Sequence, residues 1–121
     1  MLGIPLYGYE WETLNPSPES ATIPGGSAIA SSRRIADLLS SCATCSAQFD
    51  PVARGPYVIF KENDYYNQIY FENEASLSEK IALAQKYHLG GVALWALGYE
   101  DASMLNPLKI YKNTVDLTGL F

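Results

Sequence analysis

The spacing of apolar positions assigns most of the elements in this chain. Ile35, Leu38, Leu39 and Cys42 recur at i, i+3, i+4 and i+7, which predicts a helix over residues 28–42 with one apolar face. Leu77, Ile81, Ala84 and His88 share a face in the same way and predict a second helix. Ahead of it, Ser76-Leu77-Ser78-Glu79 reads as a capping box, with Ser76 accepting from the helix amides and Glu79 reaching back. Gly90-Gly91 stops the helix, because glycine accepts the left-handed conformation of a C-cap. Residues 57–61 and 68–72 are two β-rich runs around the turn pair Asn63-Asp64, and predict an antiparallel hairpin with a somewhat long loop. Residues 91–98 are almost wholly apolar and follow the second helix directly. Such a run reads as a strand buried on both faces, as in a parallel sheet.

The two ends complete the pattern. Residues 2–7 read as a short buried strand, with Pro5 near an edge or a strand end. Residues 8–26 hold Pro16, Pro18, Pro24, Gly25 and Gly26 and read as a long loop with an Asn15-Pro16 turn. Asn106-Pro107 opens a last short helix, with Asn as cap and Pro in the first turn. The order is strand, loop, helix, hairpin, helix, buried strand, short helix. A helix running through Gly-Gly into an apolar strand is typical of an α/β barrel. A barrel of eight strands needs roughly 250 residues, and this chain has 121. The expected architecture is a truncated barrel.

Composition sharpens this picture at one point. Nine tyrosines and two tryptophans exceed what a generic core needs. Their flat apolar faces and polar edges suit sugar rings and wet interfaces; tyrosine equally suits a half-buried strand. Thirteen acidic against eight basic residues give a net charge of −5, and no basic cluster exceeds Arg33-Arg34. A nucleic-acid partner and an anionic membrane surface are therefore excluded. No segment approaches the roughly 20 apolar residues that span a bilayer. The first residues lack the basic region of a signal peptide, so nothing in the chain addresses it to a compartment.

Cys42-Ala43-Thr44-Cys45 is a Cys-x-x-Cys motif. A structural zinc needs four ligands, and the only histidine, His88, falls on an apolar helix face, so no metal is expected. A helix ends at this motif instead of starting in it, which is not the thioredoxin arrangement. Buried thiols or a short-loop disulfide remain.

The aromatics stand at meaningful places. Tyr7-Gly8-Tyr9-Glu10-Trp11 follows the first strand, and Trp95 lies late in the last apolar strand. Ligands of α/β barrels bind at the C-terminal ends of strands. Taken alone, Trp95 reads first as a core tryptophan in an apolar strand. The run from Leu2 to Trp11, which reads Leu-Gly-Ile-Pro-Leu-Tyr-Gly-Tyr-Glu-Trp, resembles the seventh barrel strand of family 18 glycoside hydrolases, the family of the chitinases. It is most similar to spore-cortex and peptidoglycan N-acetylglucosaminidase-like members. Residues 68–80 resemble the segment before their last helix, and residues 88–98 their eighth strand with its tryptophan. The resemblance runs in order from about Leu2 to Tyr111.

It implies a C-terminal part of a (β/α)8 barrel, with strand 7 and its loop in residues 1–27, a small α+β insertion in 28–74, and a helix, strand 8 and terminal helix in 75–121. The implied ligand is a β-linked N-acetylglucosamine glycan, chitin or peptidoglycan, in a secreted or cell-wall setting and with no cofactor. Trp95 would be the floor under the sugar at the cleavage site, Tyr7 would line that site, and Glu10 and Trp11 would be rim contacts. Tyr9, also a candidate contact, stands where many chitinases place an arginine, a departure from the family's pattern. The family's substrate-assisted hydrolysis needs an Asp-x-x-Asp-x-Glu run, and none occurs in this sequence. No catalytic residue is therefore expected here. Glu62, Asp64, Glu72 and Glu74 read as a solvated acidic face flanking the hairpin. A partial barrel leaves open sheet edges, so a homodimer or strand exchange is expected of the isolated chain.

Overall fold

The computed structural model describes residues 1–118. Residues 119–121, the end of the expected terminal segment, lie outside the described residues. In chain order the elements are β1 (Leu2–Pro5), β2 (Gly8–Thr13), β3 (Thr22–Ala30), α1 (Ser32–Ser41), β4 (Gln48–Asp50), β5 (Gly55–Glu62), β6 (Tyr65–Tyr70), α2 (Glu74–Lys86) and β7 (Val92–Trp95). A 3₁₀ turn at Ser103–Leu105 then leads into α3 (Asn106–Thr118). They make two sheets, a parallel pair β1-β7 and a five-stranded sheet in the order β3-β2-β6-β5-β4, antiparallel throughout.

The stretch expected as a long loop is instead two paired strands, β2 and β3. Its prolines and glycines are tolerated because β3 is an edge strand and its register with β2 shifts between Trp11 and Thr13. Pro24 and Gly25 (φ +83°) fall opposite that irregularity, where a missing amide and a left-handed residue break no ladder bond. The β5–β6 hairpin forms as expected, but its loop is only Asn63-Asp64, with φ of +50° and +64°. Positive φ at both central positions is the type I′ geometry, whose twist matches that of the strands.

One face of the large sheet is closed by α1. This helix begins at Ser32, later than expected, because residues 28–30 are committed to β3. Ser31 caps it, accepting from the Arg34 amide at 3.2 Å. Ile35 and Leu38 bury against Ala30, Val58, Phe60 and Ile69. Cys42 and Cys45 form a disulfide that packs on this core from the end of α1. Of the two readings of the motif, the bonded one holds.

A second core lies under the parallel pair. Ile4 and Leu6 meet Leu77 and Met104, all within 1% of full burial. The capping box of α2 is real but shifted: Asn73 is the cap, accepting from the Ser76 amide at 3.0 Å, and the Ser76 hydroxyl accepts from the Asn73 amide at 2.9 Å. Leu77, Ile81 and Ala84 bury as expected. His88 does not, because α2 ends at Lys86 and the left-handed residue is His88 itself (φ +50°), not a glycine. It is exposed. The last helix is also longer than expected, and Asn106 is already helical. Asp101 holds the 3₁₀ turn ahead of it, its carboxylate accepting from the Ser103 and Met104 amides at 2.7 and 3.1 Å. β7 buries Val92 and Leu94 only partly and leaves Ala93 and Trp95 exposed, so it is not covered on both faces among the described residues.

Candidate functional site

β1 and β7 fix the position of the exposed tryptophan. Their register pairs Leu2 with Val92, Gly3 with Ala93, Ile4 with Leu94 and Pro5 with Trp95. The Leu6 amide continues the ladder, donating to the Trp95 carbonyl at 2.7 Å. Strand alternation sends Ile4, Val92 and Leu94 toward the second core, so Gly3, Pro5, Ala93 and Trp95 share the other face. Trp95, at the C-terminal end of β7, is 72% exposed. Its peptide bond to Ala96 is cis.

Tyr7 lies two residues past the end of β1. Its ring meets that of Tyr99 edge-on at 5.8 Å, and it lines a cleft of about 330 Å³ together with Pro5, Tyr9, Tyr70, Glu72 and Lys80. The chain passes from one sheet to the other here, and the crossing is tight. A Cβ on Gly8 would stand 2.7 Å from the Phe71 Cβ and 2.8 Å from the Tyr70 carbonyl oxygen. Only glycine lets β2 approach β6 this closely.

Beyond Gly8, alternation puts Tyr9 and Trp11 on the sheet face opposite α1. Register places Tyr9 beside Tyr70, Tyr70 beside Tyr57, and Trp11 beside Gln68. The rings touch in sequence: Tyr9 to Trp11 at 4.9 Å, Trp11 to Tyr70 at 6.2 Å, and Tyr70 stacked on Tyr57 at 5.3 Å. Burial holds the Tyr70 phenol above its ordinary value, and the Glu19 amide that donates to it works against that. It stays neutral as a hydrogen-bonding group. Flat rings with neutral polar edges can bury the C–H face of a polar ring while leaving its hydroxyls free to bond.

Glu10 is not brought to this surface. It faces the α1 side, where its carboxylate takes two hydrogen bonds from Arg34, at 3.3 and 3.0 Å. Arg34 also donates to Glu62 at 3.1 Å, and the Glu10 hydrogen bond raises its guanidinium above the ordinary value. The acidic group expected to be solvated is thus split. Glu62 is paired, and Glu72 is largely buried, bound by the Ser76 hydroxyl and by Lys80. Glu72 leaves solvent because it lies between the end of β6 and the start of α2, where Ser76 and Lys80 of that helix reach it. Tyr57 and Tyr70 were not singled out in the sequence; period-two alternation across the hairpin was the signal that would have found them. Among the described residues no cluster of three His, Cys, Asp or Glu could hold a metal, and no helix is long and apolar enough to cross a membrane.

Comparison with known proteins gives this geometry its context. Residues 1–100 match the family profile described as "Glycosyl hydrolases family 18". The cortical fragment-lytic enzyme of Bacillus subtilis is 32% identical over 101 residues, which are 81% of this chain and 22% of that protein. Among solved structures, the spore cortex-lytic enzyme SleL of Bacillus megaterium superposes with a TM-score of 0.70 at 28% identity, covering 93% of this chain and 25% of that one. A chitinase of Chromobacterium violaceum superposes with a TM-score of 0.70 at 25% identity, over 91% of this chain and 32% of that one. The chain spans about a fifth of the length of the curated cortical fragment-lytic enzymes it matches.

Proposed function

Because the chain belongs to glycosyl hydrolase family 18, we propose that it is the glycan-holding part of a family 18 hydrolase acting on β-linked N-acetylglucosamine polymers, peptidoglycan or chitin. In this reading β1 and β7 are the seventh and eighth strands of the barrel. Residues 28–74 are the core of an insertion between them, to which the β2–β3 hairpin adds two strands. The barrel itself keeps β1 and residues 75–118.

The observation that carries the reading is the exposed Trp95 indole at the C-terminal end of a parallel strand, in register beside Pro5 and two residues short of Tyr7. A pyranose lying on it would bury its C–H face and keep its hydroxyls available. Tyr7 would line the same sugar site, and Tyr9 and Trp11 would continue the contact along the large sheet. The relatives named for cortex lysis and chitin cleavage support the ligand class. The Cys42–Cys45 disulfide suits the oxidising surroundings of a secreted protein.

Hydrolysis needs a proton donor held at the scissile bond. This sequence has no Asp-x-x-Asp-x-Glu run, and Glu72 is occupied by Ser76 and Lys80. The role proposed for these residues is to hold and orient the glycan. Titration of ¹⁵N-labelled protein with a β-1,4-linked N-acetylglucosamine tetramer tests this. Saturable shifts at the Trp95 indole and the Tyr7 amide support it, and shifts absent from both overturn it.

One observation favours a second reading, in which the chain is an assembly module. Among the described residues β1 and β7 have one strand neighbour each. Unpaired edges recruit further strands, so a second copy would pair there by dimerisation or strand exchange. A dimer without glycan binding in sedimentation would support this; a monomer at all concentrations would contradict it.

A further inference from the structure

On the α1 side of the large sheet, next to the Arg34–Glu10 pair, lies a cavity of about 240 Å³. Glu10, Glu12, Asn67 and the chain around Gly25-Gly26 line it. Register sets Glu12 directly opposite Asn67 on β2 and β6, with Glu10 two residues along on the same face. Trp11 lies between them in sequence and so projects from the other face. Residues 23–26 have no partner in the β2–β3 register, and Glu12 falls at that gap. Gly26 makes the room. A Cβ there would stand 2.5 Å from a Glu12 carboxylate oxygen and 2.8 Å from the Glu12 Cβ.

The cavity gathers acceptors and leaves them without donors. Glu12 has no ion pair and takes no hydrogen bond on its carboxylate among the described residues. Asn67 is only 6% exposed, and its amide nitrogen is spent on the Tyr65 carbonyl at 3.2 Å. Its amide oxygen takes no hydrogen bond and lies open to the cavity. Arg34 is shared between Glu10 and Glu62, so its charge is already matched and Glu12 has no counter-ion. Buried or half-buried acceptors of this kind call for a donor. A hard dication takes six or more oxygens, and the lining offers only two carboxylates, one of them held by Arg34. An ammonium has three donors and no acceptor, which fits a carboxylate and a carboxamide oxygen facing one small space.

We infer that this cavity binds a primary alkylammonium group, whose N–H bonds go to the Glu12 carboxylate and the Asn67 amide oxygen. Glu10 adds negative potential at the cavity wall. The site is independent of the glycan reading, because it lies on the opposite face of the sheet from Trp11. The group it takes is a lysine-type side chain or the free amine of an amino sugar.

Titration of ¹⁵N-labelled protein with Nα-acetyl-lysine methylamide and, separately, with glucosamine tests this. At least one of the two should shift the Asn67 carboxamide and the Gly26 amide saturably, in the millimolar range, and added salt should weaken the effect. The amine that does so identifies the source of the group. The neutral isostere Nα-acetyl-norleucine methylamide should leave both signals in place. Glu12→Gln keeps the size and removes the charge, and should weaken binding about tenfold or more. Gly26→Ala, whose Cβ displaces the Glu12 side chain, should weaken it too. An unmoved Trp11 indole signal, on the other face, reports that each variant keeps its fold. No shift with either amine, equal shifts with the norleucine control, or unchanged affinity in Glu12→Gln overturns the site.

Discussion

Pro5 and Trp95 lie side by side in register on parallel strands, and the amide next along β1, that of Leu6, donates to the Trp95 carbonyl at 2.7 Å. The indole is thus placed by backbone pairing and not by packing of its own ring, which is 72% exposed. The rest of the fold holds these two strands rigid. Leu77 anchors α2 against Ile4 and Leu6 on their other face.

The junction between the sheets depends on a missing side chain. Gly8→Ala would bring a Cβ to 2.8 Å from a backbone oxygen that cannot move without parting β2 from β6. The expected loss is about 1–3 kcal/mol, the usual effect of overpacking. Urea denaturation of the two proteins measures it.

The disulfide should contribute to stability although its loop is short, with a sequence separation of 3. Closing such a loop restricts the unfolded chain by ~2 kcal/mol in the chain-entropy account. Reduction, or Cys42→Ser with Cys45→Ser, should lower the melting temperature by roughly 5–10 °C for a domain of this size. The loosened element should be α1, whose amides would lose protection in hydrogen exchange before those of β5 and β6 do.

Asp101 gives the fold a sign in acid. The Ser103 hydroxyl, and then the Met104 and Ser103 amides, hold its carboxyl below the ordinary value, while partial burial opposes them. A depressed folded value means that its contribution is present above the unfolded pKa and is lost as pH falls through the folded one. Stability should therefore decline below about pH 4, the ordinary range of an aspartate. Asp101→Asn still accepts from the helix amides but does not titrate. Melting curves from pH 2 to 6 should show a shallower acid decline in that variant.

The sequence carried the helices and the hairpin because their signals are local. Ile35 with Leu38, and Leu77 with Ile81 and Ala84, need only a repeat of 3.6 residues to be read. β2 and β3 were missed because Pro24, Gly25 and Gly26 read as loop when the partner strand is unknown. An edge position and an irregular register, both tertiary facts, make those residues compatible with a strand. His88 was misplaced because the apolar stripe outran the helix that generated it. At the site, Tyr7, Tyr9, Trp11 and Trp95 stood out by position and by resemblance. The neighbours Tyr57 and Tyr70, the side on which Glu10 lies and its pairing with Arg34 depend on which face each strand turns inward, which the register decides.

The central claim is that the exposed Trp95 indole holds a sugar. Isothermal titration of the protein and of Trp95→Ala with a β-1,4-linked N-acetylglucosamine tetramer, alongside their melting curves, tests it most directly. The account predicts that Trp95→Ala melts within a few degrees of the parent, because so exposed a ring stabilises little, and binds at least about tenfold more weakly, as loss of an aromatic platform requires. Equal affinity in the two proteins, or a variant that loses its fold along with its binding, would contradict it.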